Sequence, residues 1–517
     1  MDSPDLHAPD LRKLLKTHWG YSEFRPKQEA IVQAIFRGRD AAVVMPTGGG
    51  KSLCYQLPAL ASERTCVVIS PLIALMQDQA ASMREIGIPV GFLNSTLDSA
   101  ETREVKRRAT SGELRLLYLS PERVVRPEVL EWLRKVPIGF FAIDEAHCIS
   151  EWGHEFRPEY RQLRTLRERF PDVPIAAFTA SATRQVRHDI LAQLQLRDPA
   201  RFVMSFHRPN LRYIIRKCEQ REQDALLAAA LDWYSEGNVI LYAPTVKAVD
   251  EMAAMLGRKG VPIVPYHGQM DSSRRQANQE LWMSGEKRVL VGTVAFGLGI
   301  NKPDVRAVIH LSLPKSIEQF YQEAGRAGRD GLEADCVMLW QARDVGLLTY
   351  FTQQIQDPAE RDRAWQRYRA MVRFVEGGRC RHRQICLHFG ETPKWESCDA
   401  CDACGVKLDW MEEPAEVAVA ETRRERSAVR RKLTRETAAP VDENLRGSLR
   451  EWRLTLAKEQ HVPAYVILHD STIDAICRQR PQTMADLLEV PGIGERKAER
   501  FGSRILTIVR DLKIPEN

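Results

Sequence analysis

Short apolar runs alternate with helical stretches over roughly the first two-thirds of the chain. In the first half, AAVVM (41–45), CVVIS (66–70), RLLYLS (115–120), GFFAID (139–144) and IAAFTA (175–180) have the length and residue types of buried strands. Longer stretches at helical spacing separate them, such as LIALMQDQAASMREIG (72–87). A second series begins at NVILYAPT (238–245) and continues through VPIVPYHGQM (261–270), KRVLVGTVAFGLGINKPDVR (287–306) and AVIHLSLP (307–314). Strands alternating with helices predict a mostly parallel sheet covered by helices, once for each series. The pattern then changes. Residues 361–391 read as basic helices, and about 441–517 has helical periodicity alone.

Length and composition set outer bounds. A chain of 517 residues suggests about three or four domains, and 44% hydrophobic with 28% charged residues is ordinary for a globular protein. No apolar run approaches the ~20 residues of a membrane span. The opening MDSPDLHAPD lacks the basic and apolar regions of a secretory signal. Both point to a soluble intracellular protein with no membrane partner. The net charge of +6 is unevenly spread: residues 361–383 hold eight Arg against two acids, and 423–435 hold seven Lys/Arg against one. Such patches fit a phosphate backbone, or else solvated helix faces. Five of the eleven cysteines fall within 380–404, which favours a reducing compartment and one metal site over a disulfide framework.

The chemistry begins at MPTGGGKS (45–52), between an apolar run and LCYQLPAL (53–60). Strand, glycine loop and helix in that order let backbone N–H groups around Thr47, Gly48, Gly49 and Gly50 converge on phosphates. Lys51 would place its charge on the β- and γ-phosphates, and Ser52 could ligate Mg²⁺. Met45 stands where the strict pattern has Gly, so a glycine-rich turn is the alternative. The run GFFAIDEAH (139–147) favours the phosphate loop. Its strand delivers Asp144 to the sheet edge, where it could hold the same Mg²⁺, and Glu145 is placed to orient or deprotonate the attacking water.

DEAH (144–147, ending in His147) together with MPTGGGKS resembles the superfamily 2 helicases, and the flanking text resembles the RecQ helicases in particular. WGYSEFRPKQ (19–28) is similar to that family's adenine-reading motif, which implies that Gln28 contacts the base beside Arg25. SPLIALMQDQ (70–79), YLSPER (118–123) and FTASAT (178–183) resemble its first-domain motifs, with Ser181 where Thr is usual. CISEWGHEFRP (148–158) is similar to its aromatic-rich loop. Independently of the family, Trp152 and Phe156 offer stacking faces and His154 and Arg157 polar contacts near the catalytic acids, worth about 1–3 kcal/mol per stacked base. Packing of both aromatics in a core is the alternative.

The second series has no glycine loop, which suggests one nucleotide held between two domains. In QFYQEAGRAGRDG (319–331), Arg326 and Arg329 are three apart and share a helical face that could meet a transferring phosphate. The resemblance implies Arg329 as arginine finger and Arg326 as its partner. It also implies coupling roles for Gln322 and for the segment with Thr293, Gly297 and Asn301. Further on, SCDACDAC (397–404) sets Cys398, Cys401 and Cys404 at C-x₂-C-x₂-C spacing, suited to a structural zinc with a fourth thiolate. A redox pair is the competing reading. The resemblance supports Cys380 as that fourth ligand, and Cys386, between Ile385 and Leu387, reads as core.

RecQ helicases commonly carry a winged helix after the zinc module. Here 405–440 is too short for one and has a linker-like composition. The last stretch resembles an HRDC domain, including VPGIG (490–494), whose turn could meet a phosphate. With twelve basic and twelve acidic residues over 441–517, a bundle for protein contacts is an equal alternative. The resemblance thus implies an α/β chain: RecA-like domain 1 (1–205), RecA-like domain 2 (206–342), a helical zinc-binding subdomain (343–405), a linker (406–440) and an all-α HRDC-like domain (441–517). It implies an ATP-dependent DNA helicase with 3′→5′ polarity, using ATP, Mg²⁺ and Zn²⁺. Expected partners are single-stranded DNA, junctions between single and double strands, and single-strand-binding or other repair proteins, in the cytoplasm at the nucleoid. A translocase that unwinds poorly and a junction-binding protein using ATP as a switch are the other readings.

Overall fold

Each apolar series closes into its own parallel sheet. The computed structural model describes residues 10–71, 73–94, 97–153, 155–293, 302–411, 442–460 and 464–512. The first sheet holds β1 (Ala41–Val44), β2 (Thr65–Ile69), β3 (Val90–Leu93), β4 (Leu116–Leu119), β5 (Ile138–Ile143), β6 (Ile175–Thr179) and β7 (Ala200–Val203). Their spatial order is β3-β4-β2-β5-β6-β1-β7, all parallel. The second holds β8 (Leu211–Lys217), β9 (Asn238–Tyr242), β10 (Ile263–Tyr266), β11 (Val289–Gly292), β12 (Val305–His310) and β13 (Ala334–Trp340), in the order β10-β11-β9-β12-β13-β8. It is parallel too.

Strands buried on both faces need unbroken apolar runs, and β2, β4, β6 and β13 are buried along their whole length. Four strands escaped the pattern for identifiable reasons. β3 is four residues long and contains Gly91, where a Cβ would lie 2.8 Å from Leu114 Cδ1. β7 lies at the sheet edge and is partly exposed. β8 and β13 carry a polar pair into the interior, Arg212 Nε donating to Asp335 Oδ1 at 2.6 Å. In parallel sheets ligands gather at the carboxyl ends of strands. The loops after β1, β5 and β6 all leave that edge of the first sheet.

The helices Pro358–Glu376 and Arg381–His388 and the cysteine-rich loop pack onto the second sheet, where Tyr213 of β8 bridges to Cys401. Residues 406–411 open the stretch whose composition resembles a linker. They pack instead: Leu408, Trp410 and Met411 are buried against the second sheet's helical face.

The last helices, chiefly Glu443–Glu459, Asp470–Gln479 and Glu495–Asp511, enclose a separate apolar core. This bundle touches both sheets' domains. Lys16 meets Glu489 at 3.1 Å, Arg500 meets Glu85 at 2.6 Å, and Lys302 meets Asp470 at 3.6 Å. The VPGIG turn lies in this docking contact, as a bundle for protein contacts would place it. Gly20 (φ 71°) lies so close to Ile493 that a Cβ would be 2.6 Å from its carbonyl carbon, and a Cβ on Gly494 would be 2.5 Å from the Thr17 carbonyl oxygen. Among the described residues, no helix is long and apolar enough to cross a membrane.

Candidate active site

The glycine loop leaves β1 with positive φ at Gly48 (84°) and Gly50 (83°), a region that favours residues without a Cβ. Buried Met45 lies beneath the loop, and a Cβ on Gly49 would come within 2.5 Å of its Cγ. That packing gives the departure from the strict pattern a structural role. Gln28 is buried against the loop. Its Nε2 donates to the Gly49 carbonyl at 3.0 Å, while its Oε1 accepts from the Arg25 N–H at 2.9 Å. The Arg25 guanidinium donates to the Gly48 carbonyl. Ser52 Oγ accepts from Gln79 Nε2 at 3.0 Å, and Gln79 Oε1 is held by the Tyr55 and Tyr118 hydroxyls at 2.7 and 2.9 Å. Gln79 thus orients the hydroxyl suited to Mg²⁺. It lies inside SPLIALMQDQ, but nothing in the apolar pattern singles it out.

Across the loop, Lys51 Nζ lies 3.7 Å from Glu145 Oε1, both side chains mostly buried. Burial, and then the charge of Glu145, push the Asp144 carboxyl up to about 6. A divalent cation bound there would reverse that shift. Glu145 itself adopts φ 47°, unusual for a non-glycine residue and of a kind that gathers at functional sites. His147 is fully buried. Its Nδ1 lies 3.2 Å from Glu145 Oε2 and 3.0 Å from Thr179 Oγ1. Burial would lower this imidazole's pKa, but Cys148, Glu145 and Glu155 outweigh it and hold it well above its ordinary value.

The second sheet's arginines reach this loop. Arg329 packs over Gly48, where a Cβ would be 3.5 Å from Arg329 Cγ, and Arg326 is buried close by. Burial, then the charges of Arg326 and Arg208, lower Arg329 to about 9. Three guanidiniums crowding one buried spot repel each other, and a γ-phosphate would relieve that repulsion. Arg208 also ties the halves together. Its Nη1 donates to the Thr47 carbonyl at 3.0 Å and its Nη2 to the Gly328 carbonyl at 3.1 Å. Sequence reasoning missed Arg208, which sits in the polar connection HRPN (207–210) with no motif around it. A second link runs from Thr179 through Ser181, whose Oγ accepts from Gln322 Nε2 at 2.8 Å. Thr293 follows β11, whereas Gly297 and Asn301 lie outside the described residues.

In the aromatic-rich loop Trp152 is 46% exposed, open to a stacking base. Phe156 is half-buried with the Arg161 guanidinium 5.6 Å from its ring centre. Arg157 is half-buried as well and donates to the Pro71 carbonyl at 3.3 Å. His154 lies outside the described residues.

Cys380, Cys398, Cys401 and Cys404 bring their sulfurs within 4.8 Å of one another. The Cys398–Cys404 separation of 3.9 Å matches the ~3.8 Å edge of a tetrahedron with Zn–S bonds of about 2.3 Å. Backbone N–H groups of Arg381, Arg383 and Ala400 point at three of the sulfurs, at 3.3, 3.5 and 3.4 Å. Four such thiolates fit a structural zinc and leave no open position. Cys386 is buried in the core. His382 connects this centre to the cleft, with Nδ1 3.1 Å from Cys398 Sγ and Nε2 3.1 Å from the Arg208 carbonyl oxygen.

Comparison with known proteins bears on the same regions. The chain matches the DEAD/DEAH box helicase family over 25–189 and the helicase conserved C-terminal domain over 222–331. It matches RecQ zinc-binding over 342–405 and the HRDC domain over 442–509. The ATP-dependent DNA helicase RecQ of Haemophilus influenzae is 32% identical, across 99% of this chain and 98% of its own. That of Bacillus subtilis is 31% identical across 96% and 97%. The first alignment runs to 612 positions against 517 residues, so at least 95 of them face gaps in this chain. Among solved structures, helicase MrfA bound to DNA and AMPPNP is similar in fold, with TM-score 0.54 and 18% identity over 68% of this chain and 54% of that one. So is Mss116p bound to ssRNA and AMP-PNP, with TM-score 0.54 and 16% identity over 75% and 92%.

Proposed function

The chain belongs to the RecQ family of ATP-dependent DNA helicases, and we propose that it hydrolyses ATP between its two sheets to drive 3′→5′ movement on single-stranded DNA. The observation that carries this is the meeting of Arg329, Arg326 and Arg208 over the glycine loop of the other domain. In this reading Thr47, Gly48, Gly49, Gly50 and Lys51 hold the triphosphate, Gln28 and Arg25 select adenine, and Ser52 and Asp144 hold Mg²⁺. The ion would supply charge neutralisation of the phosphates. Glu145, supported by His147, orients the attacking water, and Arg329 stabilises the transferring phosphoryl group with Arg326 behind it.

The units assigned are a nucleotide-binding domain over 1–205, a second motor domain over 206–342, a zinc-binding subdomain over 343–405 and an HRDC domain over 441–517. Residues 406–411 pack with the second motor domain, and the chain from 412 to 440 stands in place of a winged helix. Only 36 residues separate the zinc-binding and HRDC matches, so strand separation falls to the motor and zinc modules themselves. Trp152, Phe156, His154 and Arg157 form the strand-sensing loop. Single-stranded DNA and its junctions with duplex are the substrates, repair proteins that coat single strands are partners, and the enzyme works in the cytoplasm at the nucleoid.

The test is unwinding of a short duplex with a 3′ single-stranded tail beside a 5′-tailed control, with ATP hydrolysis followed in the same sample. Unwinding of the 3′-tailed substrate alone is expected. Vigorous DNA-stimulated hydrolysis with no unwinding would make the protein a translocase instead.

A further inference from the structure

One face of the basic helix Pro358–Glu376 is turned toward the aromatic-rich loop. Glu360, Arg363 and Arg367 follow one another at helical spacing and share that face. Glu360 accepts from both arginines, from Arg363 Nε at 3.0 Å and from Arg367 Nη2 at 2.5 Å. Each arginine also reaches across to the loop. Arg363 Nη1 lies 3.4 Å from Glu151 Oε2, and Arg367 Nη1 donates to the Gly153 carbonyl at 3.5 Å. Glu151 is shared with Arg161, 2.8 Å away.

The segment gripped in this way connects the exposed aromatic to the catalytic acids. Trp152 stands between the two gripped positions. Gly153 turns back so tightly that a Cβ would lie 2.8 Å from the His147 carbonyl oxygen. Two residues on, Glu155 Oε2 is 3.8 Å from His147 Nε2, and the other nitrogen of that ring faces Glu145. A shift of the loop therefore reaches the residue that orients the attacking water through a single imidazole.

The grip is of a kind that DNA can undo. Three guanidiniums, on Arg161, Arg363 and Arg367, share two carboxylates, on Glu151 and Glu360, so the cluster carries an excess positive charge. The Glu151 side chain is one-third exposed, and an ion pair reached by water is weakly held. A strand phosphate offers Arg363 a fork-matched acceptor of higher charge, and its binding releases counterions as well.

We propose that Arg363 and Arg367 are positioning residues for ATP hydrolysis. Without DNA they hold the aromatic-rich loop through Glu151 and the Gly153 carbonyl. A strand phosphate takes Arg363 away from Glu151 and frees the loop to reset Glu155 against His147. The inference rests on the helicase reading above.

The test uses the full-length protein and compares Glu151→Gln with Arg363→Ala. Turnover is measured without DNA and as a function of single-stranded DNA concentration. Either substitution removes the Glu151 half of the grip, so DNA-free turnover rises in both, with the KM for ATP unchanged. The DNA concentration for half-maximal stimulation moves in opposite directions. It rises about tenfold in Arg363→Ala, which loses a phosphate contact, and falls in Glu151→Gln, which loses the phosphate's competitor. Arg363→Lys keeps a charge and lies between wild type and Arg363→Ala. A merely structural contact would move both variants in the same direction, and that result, or unchanged DNA-free turnover in both, overturns the proposal. Wild-type turnover that ignores DNA would instead overturn the helicase reading, and this proposal with it.

Discussion

The two sheets of this protein share an architecture and divide the chemistry. Both are parallel and both deliver loops from the carboxyl ends of their strands. The first brings the glycine loop, Ser52, Asp144 and Glu145, which suit phosphate and metal. The second has no glycine loop and brings Gln322, Arg326 and Arg329, which suit charge developing during transfer. Parallel-sheet architecture alone therefore does not make a nucleotide site. The site arises where the loops of one sheet meet the helix ends of the other.

Substitutions on either side should fail in different ways. Lys51→Ala removes the charge on the β- and γ-phosphates and should take hydrolysis to background with ATP binding weakened, while DNA binding stays largely intact. Retained hydrolysis would mean that the glycine loop is not the site. Arg329→Ala should cost about 10³-fold or more in kcat with little change in ATP affinity, since a finger acts mainly in the transition state. Equal losses in kcat and in affinity would refute the division between the sheets. Gln322→Ala removes one interdomain hydrogen bond of about 1–1.5 kcal/mol and should lower DNA-stimulated turnover about tenfold at most.

The smallest effect is in the pH profile. With Asp144 at about 6, turnover at limiting Mg²⁺ should fall about twofold between pH 7 and pH 6. The sign for stability is the opposite. Between about pH 4 and 6 the folded protein keeps a proton that the unfolded chain has released, so metal-free stability falls as pH rises through that window. Asp144→Asn should flatten that slope in thermal melts, and a slope unchanged in the variant would assign it to another group.

Much of this division is legible in the sequence because its parts are local. The glycine loop, DEAH, the arginine pair and the three close cysteines each occupy fewer than a dozen consecutive residues, and each has a spacing that physics explains. What escaped is what depends on folding at long range. Arg208 is one arginine in a polar connection, and only the folded chain shows it bridging Thr47 and Gly328. Gln79 matters because the helix Leu53–Ala61 and β4 bring Tyr55 and Tyr118 to it. Arg363 and Arg367 look like a solvated basic helix until the zinc-binding region sets them against Glu151 and Gly153. β8 is harder to read because Arg212, half-buried and paired with the buried Asp335, interrupts its apolar run. The VPGIG turn is ambiguous for a related reason: free N–H groups suit a phosphate, but its glycines also allow a close backbone approach, which here is made to Gly20.

The most direct test mixes the two inactive variants. Lys51→Ala and Arg329→Ala are assayed for DNA-stimulated ATP hydrolysis separately and then together in equal amounts. If one nucleotide lies between the two sheets of a single chain, the mixture stays as inactive as its components. Activity restored by mixing would show that the arginine is supplied by a second copy, and would contradict the cleft described here.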